Sequence, residues 1–197
     1  MGSVKKFNRD GAVDWVMNEI WHRGFESFSV KAMSEALGIT RSSFYNAFES
    51  REALFLEAFD RYFKDSPHYK LAKFAESDSA LKLLTQVFKE TCLARTNDPN
   101  HRGCMAVNSV SNLVGVNNEL GPIVENAVLA SITGFENLLN HSMDQGELAK
   151  NTNTHNLALA IQNTLMGLNT MSKIVTSEQE LWSATKTTLM ALEVYRE

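Results

Sequence analysis

A glycine at position 38 separates two short stretches that each carry helix signals. Before it, Val30, Met33, Ala36 and Leu37 recur at helical spacing. After it, Thr40–Phe48 opens on a small hydroxyl suited to cap a helix, as Ser29 is for the first stretch. A residue without a Cβ enters the left-handed backbone region at a helix end without strain, so the pattern predicts a sharp reversal at Gly38-Ile39. Two short helices joined in this way have the dimensions of a helix-turn-helix.

The second helix has a composition that a purely core-filling helix does not need. Arg41, Ser42 and Ser43 open it. Slim hydroxyls let backbone amides approach a phosphate, and the arginine offers a donor fork to phosphate or guanine. Phe44 and Phe48 lie four apart and predict an inward face, which leaves Tyr45 and Asn46 on the edge that would meet a groove. Asparagine pairs with adenine, and a tyrosine hydroxyl reaches phosphate. Arg51, at the start of the next helix, is placed to clamp the flanking backbone. The same spacing also fits an ordinary helical hairpin with a solvated polar face, belonging to a carrier or protein-interaction module that binds no DNA.

The rest of the chain reads as helix throughout. Val13, Val16, Met17, Ile20 and Trp21 predict a helix over 9–22 that Gly24 closes. Ser50 caps a fourth helix, over 51–64, whose stripe of Leu54, Phe55, Ala58, Phe59 and Tyr62 ends before Pro67. Further stripes predict helices from Leu81 to about Asn97, from Gly103 to about Val116, over 122–145, and from Leu157 to Met171. A last helix, holding Leu181, Trp182, Leu189 and Leu192, starts at the S-x-x-E box of Ser177 and Glu180. With 3 prolines and 10 glycines in 197 residues and no strand alternation, the expectation is an all-α fold of about nine helices. Residues 1–50 would form a small three-helix unit and 51–197 a larger helical unit, with helix 51–64 as connector. The last two helices are apolar on two faces, so they are either buried centrally or paired with a second copy, and pairing is expected because a terminal helix is rarely the middle of a core.

A net charge of −4 counts against nucleic-acid binding, but a local patch can still serve it. Over the first 51 residues Lys5, Lys6, Arg9, Arg23, Lys31, Arg41 and Arg51 slightly outnumber Asp10, Asp14, Glu19, Glu26, Glu35 and Glu49. Cys92 and Cys104 form no C-x-x-C pair, and the five histidines make no metal-binding spacing. No nucleophile elbow, phosphate loop or dinucleotide fingerprint is present, so neither an enzyme nor a cofactor or metal is expected. No apolar run suits a signal peptide or a membrane span, and the expectation is a reduced, cytoplasmic, soluble protein.

The ordered runs G-F-E-S-F-S-V (Gly24–Val30), A-L-G-I-T-R-S-S-F-Y-N-A-F (Ala36–Phe48) and E-S-R-E-A-L-F (Glu49–Phe55) resemble the N-terminal domain of the TetR family of transcriptional regulators. The later part resembles the family in architecture and in two short segments, Arg102–Met105 and Gly146–Leu148. The resemblance implies a homodimer whose two recognition helices enter successive major grooves of a palindromic double-stranded DNA operator. It also implies a C-terminal domain in which a small effector weakens DNA binding. Carried over by position, Ser29, Tyr45 and Arg51 would touch phosphates, with Arg51 in place of the family's usual lysine. Arg41, Ser42, Ser43 and Asn46 would face bases or nearby sugar-phosphate. The chain departs at Ala47, where histidine or an aromatic is frequent. It departs again at Trp15 and Trp21, where smaller residues are usual, implying altered packing within the small domain. Phe88, Cys104, Met105, Phe135, Met143, Met166 and Met171 sit on helices suited to enclose an apolar effector cavity. Cys104, in a first helical turn after His101 and Arg102, is a candidate for a thiol that senses oxidants or electrophiles.

Overall fold

The computed structural model describes residues 8–77 and 79–197. Lys5 and Lys6, counted in the basic balance above, lie outside the described residues. Among those described there are nine α-helices and no strand. They are α1 (Arg9–Arg23), α2 (Val30–Leu37), α3 (Arg41–Phe48), α4 (Arg51–Lys64), α5 (Ala80–Thr96), α6 (Met105–Leu113), α7 (Leu120–Asp144), α8 (Thr154–Met171) and α9 (Glu178–Ala191). Each expected helix is present, with ends shifted by a few residues at most.

Hydroxyl caps set several of these starts. The side chains of Ser29, Thr40, Ser50, Ser79 and Ser177 accept hydrogen bonds from the backbone N–H of Ala32, Ser43, Ala53, Lys82 and Glu180 respectively. Each satisfies an N–H that the first turn leaves without a partner. Pro67–Glu76 is a tight 3-10 segment that the periodicity does not reveal. It bends at Lys73 (φ −106°, ψ 20°), and three residues per turn leaves no 3.6-residue stripe to read.

The described residues form two apolar cores. The first joins α1–α4 and continues into Cys104, Met105 and Leu113, then Leu120 and Val124 at the start of α7. The second gathers Leu71, α5, the later half of α7, α8 and α9 around Phe88, Phe135, Leu138 and Ile161. The 25-residue helix α7 therefore belongs to both, with Val124 in one core and Phe135 in the other. No helix among the described residues is long and apolar enough to cross a membrane.

Candidate nucleic-acid interface and effector cavity

Gly38 adopts φ 65° and ψ 36°, the left-handed end expected of α2, and its N–H reaches the Ser34 carbonyl. The chain then turns and α3 begins at Arg41. Phe44 and Phe48 are buried, whereas Tyr45 is 53% exposed. Arg41, Ser42 and Asn46 are exposed with it. The Tyr45 ring stands edge-on to Phe44 at 5.1 Å, which steadies an outward-pointing phenol. Ser43 is half-buried, and its hydroxyl lies 2.9 Å from that of Thr40, so the cap shares it. Ser29 is exposed, and its oxygen already caps α2.

Arg51 is turned toward its own domain. Nη2 donates to the Phe25 carbonyl at 3.1 Å, and the guanidinium lies 4.6 Å from the Phe25 ring centre and 5.6 Å from that of Phe28. Its Nε is buried without a hydrogen-bond partner. In this conformation Arg51 ties the α1–α2 connection to the start of α4.

A family model of bacterial regulatory proteins of the tetR family matches residues 17–58, which span α2 and α3. A second, for the tetracyclin repressor-like C-terminal domain, matches residues 80–188, more than half of the chain. The chain belongs to the TetR family. It is accordingly a DNA-binding transcriptional regulator. The HTH-type transcriptional repressor ComR of Escherichia coli (strain K12) is 23% identical over 189 residues, covering 95% of this chain and 90% of ComR. The uncharacterized HTH-type transcriptional regulator YezE of Bacillus subtilis (strain 168) is 22% identical over 194 residues, 98% of this chain and 100% of YezE. Among solved structures, a cysteine mutant of the TetR family regulator CifR bound to 26-bp double-strand operator DNA has a TM-score of 0.85 and 27% identity. That match covers 96% of this chain and 99% of CifR.

In this TetR-family chain a compact cavity lies between α4, α5, α6, α7 and α8. Of the residues expected there, Cys104 and Met166 line it. Phe88 and Met105 are buried in the two cores, and Phe135 faces a neighbouring cleft beneath Pro67–Glu76. Met171 is exposed and borders a groove between α8 and α9, while Met143 is half-buried near the end of α7. The polar lining was not foreseen: Tyr62, Ser66, His68, Thr91, Arg95, Ser131, Gln162 and Asn169. A signal existed for two of these, because Gln162 and Asn169 fall on the apolar stripe of Ile161, Leu165 and Leu168 along α8.

Burial shapes the chemistry of this lining. It raises the Tyr62 hydroxyl well above its usual pKa, and proximity to Cys104 adds to the shift, so Tyr62 stays neutral. Burial lowers His68 from 6.5 to about 4. His68 Nε2 lies 3.2 Å from Ser131 Oγ, which donates to Gln162 Oε1 at 2.8 Å. Unfolded His68 takes up its proton near pH 6.5 and the folded one only near pH 4, so stability falls as pH drops through that window. Comparing urea unfolding at neutral pH and near pH 5, His68→Gln should remove about 2 kcal/mol of the wild-type loss.

Trp21 is not confined to the small domain, contrary to what its unusual size implied. Its Nε1 donates to the Gly103 carbonyl at 3.2 Å, and the Arg102 guanidinium sits 3.8 Å from its ring centre. Arg102 also pairs with Asp98 at 3.0 Å and donates to Asn18 Oδ1 of α1 at 2.8 Å. Burial alone would raise Asp98, but hydrogen bonds from the Arg102 side chain and from the backbone of Arg102 and Asn100 hold it below the usual carboxylate range.

Proposed function

We propose that this regulator is a repressor that grips a palindromic operator as a homodimer and is released by a small effector. The observation that carries the reading is the row of exposed Arg41, Ser42, Tyr45 and Asn46 on α3, held outward by the buried pair Phe44 and Phe48. Operator DNA bound by CifR, which shares the fold along nearly its whole length, supports the same use here. Ser29, Tyr45 and Arg51 take phosphates in this reading, and Arg41, Ser42, Ser43 and Asn46 take bases or adjacent sugar-phosphate. Arg51 would swing away from Phe25 to do so.

Pairing through α8 and α9 is supported by exposed Leu159, Met171 and Met190 and by the groove in which Gly167 lies. Half-sites one turn of duplex apart require the two recognition helices to stand about 34–36 Å apart. Helix α4 is suited to change that spacing. Leu54 and Phe55 pack in the core that joins α1–α4, and one to two turns further along α4 Phe59, Tyr62 and Phe63 also line the cavity. A ligand that displaces α4 needs a coupling of only about 1–3 kcal/mol to matter. Cys104 is the candidate for a reactive effector, because its thiol lines the cavity beside Tyr62 of α4 and at the start of α6.

Selection of bound duplexes from a random pool, followed by mobility shifts, tests this reading. Wild-type protein should enrich an inverted repeat and bind it with a steep salt dependence. Tyr45→Ala combined with Asn46→Ala should weaken binding at least roughly a hundredfold, since each contact counts in both half-sites, while dimer and helix content stay unchanged. Unaltered shifts would favour a carrier or interaction module.

A further inference from the structure

Arg95 is an arginine in the interior with no carboxylate in ion-pair range among the described residues. The residue is 5% exposed, and no ion pair among the described residues includes it. Its partners are neutral: Nε donates to Asn169 Oδ1 at 2.6 Å and Nη2 to the Tyr62 hydroxyl at 2.8 Å. Nη1 makes no hydrogen bond to any described residue. A guanidinium cannot shed its proton, and taking it out of water is costly without a counter-charge. The C-terminal end of α5, where Arg95 sits, offsets only part of that charge. Tyr62 does not close the balance, because burial favours its neutral form. Arg95 lines the cavity described above, whose other walls are largely apolar, with Phe59, Phe63, Leu165 and Met166.

We propose that the cavity holds a small organic carboxylate, which accepts hydrogen bonds from Arg95 and places a compact apolar body against Phe59, Phe63 and Met166. The proposal rests on the effector-cavity reading and names its ligand class. One buried cation matches a monovalent carboxylate better than a phosphate, which carries nearly two charges and needs several donors. Arg95 and carboxylate form the bidentate, charge-assisted pair that makes arginine selective for planar anions. The same carboxylate competes with Tyr62 of α4 for Nη2, so binding bears directly on the connector.

The test is thermal unfolding and calorimetry of the full-length protein at neutral pH with benzoate and hexanoate, each against its neutral amide. The acids should raise the melting temperature and bind roughly tenfold or more tightly than benzamide and hexanamide. Arg95→Met should abolish the preference, and Cys104→Ser should keep it, which separates an anion site from a thiolate that merely neutralises Arg95. Should Arg95→Met fail to fold, the acid-against-amide comparison on wild-type protein decides alone. Equal binding of acids and amides, no response to either, or loss of the preference in Cys104→Ser would overturn the proposal. Operator selection with unliganded protein is independent of this outcome: DNA binding without a carboxylate response sinks the ligand class only, and a carboxylate response without DNA binding sinks the regulatory reading only.

Discussion

Phe44→Ala should destabilise the protein by about 3–5 kcal/mol, whereas Tyr45→Ala, one residue along, should cost only about 1 kcal/mol. Phe44 is fully buried and packs against Phe48 at 5.7 Å within the core that joins α1–α4. Truncation removes a whole ring and leaves a cavity that two short helices, capped at Ser29 and Thr40, have little freedom to collapse. A loss of that size is a large fraction of the total stability of an ordinary domain, about 5–15 kcal/mol. Tyr45 has half its surface in water, and its side chain makes no hydrogen bond among the described residues. Its removal should instead appear in operator affinity. Urea titration followed by circular dichroism, paired with mobility shifts, checks both. If Tyr45→Ala unfolded the chain as readily as Phe44→Ala, the exposed row on α3 would be part of the fold and not an interface.

The contrast between these neighbours shows what can be read along the chain before any coordinates. Spacing of four put Phe44 and Phe48 inside and Tyr45 and Asn46 outside, because a helix of known pitch fixes which residues share a face. Gly38 and the hydroxyl caps marked the breaks, because special backbone angles and unpaired N–H groups each demand particular residues. The cavity was less visible. Phe88, Met105 and Phe135 are apolar on helices, and apolar residues look alike whether they fill a core or line a hole. Its distinguishing members are polar, and Arg95 meets Tyr62 and Asn169 only after α4, α5 and α8 come together across 33 and 74 positions of sequence. Arg51 reads as a surface cation in isolation, and only the folded Phe25–Phe28 corner turns it inward.

Trp21→Ala should cost about 3 kcal/mol and also uncouple the two halves of the regulator. The loss adds the ring's contact with Arg102 at 3.8 Å, its edge-on packing against Tyr62 at 5.0 Å and the hydrogen bond to Gly103. Uncoupling follows from what Gly103 touches. It holds φ 69°, and a Cβ there would lie 2.6 Å from the Asn169 carbonyl oxygen, so its backbone is seated directly on α8. Asn169 in turn binds Arg95 in the cavity through its side chain. Cavity, Asn169, Gly103 and Trp21 of α1 thus form a chain of contacts that runs beside the one through Arg95 and Tyr62 of α4, and the two meet at the Trp21 ring. Any compound that releases wild-type protein from its operator should raise the operator Kd by roughly 5–150-fold, and by much less in Trp21→Ala. Trp21→Phe keeps part of the ring packing but loses the N–H and the second fused ring, so it should fall between, with about 2 kcal/mol of stability lost. An undiminished effector response in Trp21→Ala, measured alongside urea unfolding, would leave α4 as the sole route between the sites.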